Sequence, residues 1–118
     1  MDINAQDSKG YTALIKAMYT RTNTEIVKLL LDTGADPNIQ NSIGVTALSW
    51  AAGHVDDEIV KLLLDAGADP NIRSCSGFTA LMDAAPRSGN VETIKLLLNA
   101  GVDVNAQSSL GVTALHYT

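Results

Sequence analysis

Three groupings in this chain carry side chains that could do chemistry. His54 stands beside Asp56, Asp57 and Glu58, a set of nitrogen and oxygen donors of the kind that holds a divalent metal. Cys75, the single cysteine, could serve as a nucleophile if a base lay beside it. Asp36, Asp69 and Asp103 could pair as catalytic carboxylates. Each reading gives way to a simpler one. Cys75 has no histidine at a recognisable spacing and falls at a loop tip, as a free surface thiol. The His54 group reads as a solvated turn between two helices. The three aspartates recur with a fixed period, which marks a structural turn. No phosphate loop of the Walker type is present. The reading is therefore not an enzyme, with no catalytic, cofactor-binding or metal-binding residue assigned.

The period itself is the larger signal. Gly10, Gly44, Gly77 and Gly111 are 34, 33 and 34 residues apart. Each precedes a tripeptide: Thr12-Ala13-Leu14, Thr46-Ala47-Leu48, Thr79-Ala80-Leu81 and Thr113-Ala114-Leu115. A leucine triplet follows at Leu29-Leu30-Leu31, Leu62-Leu63-Leu64 and Leu96-Leu97-Leu98, and then a Gly-x-Asp-x-Asn stretch such as Gly67-Ala68-Asp69-Pro70-Asn71.

Each part of the unit has a physical meaning. Threonine is a good N-cap, so a short helix is predicted from Ala13, Ala47 and Ala80. Ala17, Ala51 and Ala84 are small enough for neighbouring helices to approach closely. A second helix follows, capped by Asn23 or Thr24, Asp56 or Asp57, and Asn90, with Glu25, Glu58 and Glu92 in its first turn, where the helix dipole favours negative charge. It is apolar on more than one face, as a helix sandwiched between neighbours must be. Gly34, Gly67 and Gly101 suit a left-handed helix end; Gly53 and Gly89 are placed in inter-helix turns. Helices of about ten residues are marginal alone, so the units must stack into a solenoid.

The unit resembles the ankyrin repeat, whose hallmark is Thr-Pro-Leu-His-x-Ala followed by a leucine-rich helix and Gly-Ala-Asp-x-Asn. The resemblance covers essentially the whole chain and implies an all-α repeat solenoid: helix-turn-helix pairs with projecting β-hairpin-like fingers. On this reading residues 1–6 are a partial finger, 7–40, 41–73 and 74–107 are three repeats, and 108–118 begin a fourth, the whole being a segment of a longer array. Departures from the hallmark are Ala13, Ala47, Ala80 and Ala114 at the proline position, and Ile15, Ser49 and Met82 at the histidine position, which only His116 keeps. The family's Thr–His hydrogen bonding is accordingly expected to be missing from the first three copies. Pro86 is expected to end the first helix of the third repeat early.

Composition narrows the function. A net charge of −5, with eight scattered Lys and Arg in 118 residues, argues against nucleic acid. Hydrophobic residues make up 46% and aromatics 4%, so the core must be aliphatic. No apolar run suits a membrane span and no signal peptide is visible. One cysteine fits a reducing compartment. The expectation is an intracellular, cytoplasmic monomer, or a protein of the host cytosol if it comes from an intracellular bacterium or virus, with no cofactor.

The resemblance implies a non-enzymatic protein-protein interaction module, its partner lying on the concave surface of finger tips and first helices; a structural spacer is the alternative. Tip positions Tyr11, Val45, Phe78 and Val112 form one column, and Lys9, Ile43, Ser76 and Leu110 another. On the first helices the column is Lys16, Trp50, Asp83 and Tyr117. Trp50 and Phe78 are the expected anchors, since aromatics dominate binding hot spots; Tyr11, Ile43, Val45, Leu110, Lys9, Lys16 and Asp83 complete the candidate set.

Overall fold

The computed structural model describes residues 2–19, 24–54, 56–87 and 89–103. Among them lie six helices: α1 Ala13–Tyr19, α2 Thr24–Asp32, α3 Ala47–Gly53, α4 Asp57–Asp65, α5 Ala80–Ala84 and α6 Val91–Asn99. The helices pair as α1/α2, α3/α4 and α5/α6. The first helices stack as α1/α3/α5 and the second as α2/α4/α6. No described helix is long and apolar enough to cross a membrane.

The first helices begin where the threonines predict. The Thr12 hydroxyl accepts from the Ile15 amide and the Thr46 hydroxyl from the Ser49 amide, each at 3.2 Å. Thr46 also donates to the Ser49 hydroxyl at 3.3 Å, so serine supplies in the second repeat part of the bonding its missing histidine would give. Thr79 makes no cap bond, and its hydroxyl is buried without a partner; Met82, at the histidine position, cannot offer one. Helix α5 stops at Ala84, two residues before Pro86: Ala85 keeps helical backbone (φ −55°, ψ −40°) and donates to the Leu81 carbonyl, but Pro86 has no amide hydrogen with which to continue the ladder.

Among the second helices, α4 is capped by Asp56, which accepts from the Ile59 amide. Asn90 occupies the cap position of α6 but does not cap it. Its amide group donates instead to the Ala84 and Ala85 carbonyls, closing the end of the shortened α5. Gly53 is the last residue of α3 rather than part of a turn.

The core is a row of small and aliphatic side chains. Ala47, Ala51, Ala52 and Ala84 are fully buried between the first helices, while Val27, Val60, Leu63 and Leu97 fill the space behind them. Thr93 is buried in α6 where isoleucine stands in the other two repeats, and its hydroxyl donates to the Asp57 carboxylate of α4.

Consecutive repeats are joined by backbone as well as by core. The amide group of Asn38 donates to the Gly67 carbonyl at 3.2 Å and its oxygen accepts from the Asp69 amide at 2.7 Å. Asn4 does the same to Gly34 and Asp36, and Asn71 to Gly101 and Asp103. Gln40 bridges its own tip at the Gly44 carbonyl and the next finger at the Arg73 carbonyl, as Gln6 does to Gly10 and Gln40.

Candidate functional site

Each of the three described finger tips is a tight turn held by its first side chain. Asp7 accepts from the Lys9 and Tyr11 amides, Asn41 from those of Ile43 and Val45, and Ser74 from that of Phe78. Short polar side chains do this because they can bond to backbone a few residues on. The Tyr11 amide, then the Lys9 amide and the Lys16 ammonium, hold the Asp7 carboxyl below the usual range. The tips also touch one another. The Ser42 amide donates to the Lys9 carbonyl, and the Cys75 amide to the Ile43 carbonyl at 3.0 Å. Gly44 has φ of +79°, and a Cβ there would lie 2.7 Å from the Cys75 nitrogen, so only glycine fits both the turn and the approach of the next finger.

This stacking sets the tip side chains side by side along the array. Between the second and third fingers it opens a groove of about 440 Å³, lined by Ile43, Val45, Ser74, Cys75, Ser76, Phe78 and Asp83. Ile43 is 56% exposed on its rim; Val45 and Phe78 are half-buried. Asp83 enters from α5 and packs where Gly53 leaves room, its Cβ 3.6 Å from the position a side chain on Gly53 would take. Burial pushes its carboxyl up to about 6, partly opposed by the charge of the Arg87 guanidinium four residues on, past the end of α5.

A second feature crosses the first two repeats. Tyr11 on the first finger meets Tyr19 at the end of α1, with ring centroids 5.1 Å apart. Tyr19 meets Trp50 edge-on at 5.7 Å, and Trp50 lies flat against His54 at 3.7 Å and 12°. The carbonyl of Trp50 can only accept, so His54 Nδ1 carries the proton in their 2.8 Å hydrogen bond. Desolvation, and then the neighbouring Tyr11, push the Tyr19 hydroxyl upward.

Four of the candidate residues, Ile43, Val45, Phe78 and Asp83, thus meet in one groove. Trp50 stands apart from it, half-buried in the aromatic row, with Tyr11 at that row's other end. Lys16 forms an ion pair with Asp7 at 3.4 Å, within its own repeat, and Lys9 is exposed at the first tip. Leu110, Val112, His116 and Tyr117 lie outside the described residues. Sequence reasoning missed Tyr19 and the His54 stack. Both were within reach: Tyr19 lies three residues after Lys16 and His54 four after Trp50, on the same helix faces. Among the described residues no three His, Cys, Asp or Glu side chains group as metal ligands.

The family model described as ankyrin repeats, three copies, matches residues 1–74 and 56–118. The chain belongs to the ankyrin repeat family. It is similar to an ankyrin repeat protein of Acanthamoeba polyphaga mimivirus, 47% identical over 55 residues that make up 44% of this chain and 10% of that one. An ankyrin repeat-containing protein of Treponema pallidum is 44% identical over 50 residues, covering 42% of this chain and 16% of its own. A regulatory protein of Kluyveromyces lactis is 47% identical over 51 residues, 43% of this chain and 6% of its own. The chain spans less than a fifth of the length of each relative. Ankyrin repeats are in general protein–protein interaction modules, and the family is generally non-enzymatic.

Proposed function

We propose that this chain is a protein-binding module whose partner lies across the finger tips and first helices, centred on the groove formed by Ile43, Val45, Phe78 and Asp83. The observation that supports it most is the convergence of three apolar side chains and one carboxylate from two fingers and a helix into one opening. Folding alone does not need Ile43 there, since its side chain is more than half exposed. The aromatic row extends the same face toward the first repeat and gives Trp50 a partly structural duty. The repeats it would use are 7–40, 41–73 and 74–107. The acidic balance and single cysteine fit work inside a cell, in the cytoplasm.

Quantitative affinity capture tests this, using the wild-type chain beside Ile43→Ser and Phe78→Ala. A partner retained by the wild type and lost by both variants, at unchanged helical content, is the expected result. Equal retention by all three chains would leave the spacer reading in its place.

A further inference from the structure

The groove between the second and third fingers differs from a simple apolar cleft in having a carboxylate in its lining. Ile43, Val45 and Phe78 form apolar walls, Ser74 and Ser76 give a polar edge, and Asp83 completes the lining from α5. No described amide or side chain donates a hydrogen bond to the Asp83 carboxylate. Arg87, just beyond the end of α5, acts on it only through charge at a distance. A half-buried carboxylate in such surroundings lacks a close cationic partner, and that is the chemistry the opening is built to receive.

We propose that this groove takes a lysine or arginine side chain from an extended segment of the protein partner, the aliphatic stem lying along Ile43, Val45 and Phe78 and the charge meeting Asp83. This rests on the binding-face reading above and names the partner's chemistry. Long cationic side chains bury an apolar stem and keep a charged head, which matches a lining of apolar walls with one carboxylate. The Phe78 ring adds attraction for a cation passing over it. The net charge of −5 favours approach of a basic segment from a distance. An acidic or wholly apolar segment would bring like charge to Asp83, or leave that carboxylate desolvated and unpaired. Binding of the cation favours the ionised form of Asp83, so complex formation near pH 6, where the free carboxyl is still partly protonated, releases a proton, with Arg87 and the exposed Cys75 thiol the other titratable groups near the opening.

The test is selection of linear random dodecapeptides displayed on phage against the wild-type chain, followed by synthesis of the enriched peptide. The expected result is a fixed Lys or Arg flanked by apolar residues. Affinity then falls about tenfold or more on Asp83→Asn, and by as much on replacing the peptide's cation with norleucine, with the two changes together costing little more than either alone. Asp83→Ser provides a second variant, and thermal melting confirms that both fold. Peptides without a fixed cation, or affinity within about twofold on Asp83→Asn, overturn the proposal while leaving the binding face intact, provided Ile43→Ser and Phe78→Ala still abolish binding. Peptides indifferent to Ile43→Ser and Phe78→Ala, or no enrichment at all, overturn both.

Discussion

Thr79 and Asp83 sit in surroundings that cost stability, and each makes a prediction at its own scale. The Thr79 hydroxyl is buried with no partner, whereas Thr46 uses the same atom to cap its helix. Thr46→Val should therefore cost about 1 kcal/mol, while Thr79→Val should be neutral or stabilising; denaturant titration of both variants checks this. Asp83 is the second case. Its folded carboxyl titrates at about 6 against an ordinary 3.8, so the folded chain holds that proton more tightly than the unfolded chain. The sign follows directly: this group's contribution is fully present below about pH 4 and is lost as pH rises through 6, on the order of 2–3 kcal/mol. Asp83→Asn should raise the melting temperature at pH 7.5 and leave it nearly unchanged at pH 4. A carboxylate kept at that cost has a use elsewhere, consistent with its place in the groove.

Helices and turns were largely legible in the sequence because each carries a local device. Thr12, Thr46 and Thr79 announced the start of the first helices, and Gly34, Gly67 and Gly101, all with positive φ, announced the ends of the second. What was not legible depended on contacts between repeats. Asn90 looks like a cap, yet Pro86 cuts α5 short and the carbonyls left behind recruit it. The asparagines of the Gly-x-Asp-x-Asn stretch read as turn formers, but Asn4, Asn38 and Asn71 reach across to the following repeat. Trp50 and Phe78 seemed equal anchors; only packing showed that Tyr19 and His54 enclose Trp50 while Phe78 borders the groove. Two glycines separate local strain from contact between elements. A Cβ on Gly67 would meet nothing within 4 Å, whereas one on Gly44 would strike the Cys75 backbone. Gly67→Ala should cost about 1 kcal/mol from its left-handed backbone alone, and Gly44→Ala clearly more, as read by urea denaturation.

Across the whole molecule, equivalent residues are buried according to which neighbours they have. Ile59 on α4 is 6% exposed because α2 covers it, while Ile26, its counterpart on α2, is 45% exposed and Leu29 is 63% exposed. Leu29→Lys should therefore change stability by less than about 0.5 kcal/mol. Leu63→Ala, at a fully buried site on α4, should cost about 2–5 kcal/mol. Equilibrium unfolding of the two variants gives the comparison directly. The Asn38 link to Gly67 and Asp69 has a related consequence. Each such joint reaches forward by one period and never further, so the splice between any two units has the same chemistry. Copying or deleting one whole period in the coding sequence leaves every remaining joint complete, whereas gaining or losing a few residues within a finger would break two at once. The length of such a protein can therefore change by recombination without redesign, and its recognition surface can grow in equal steps.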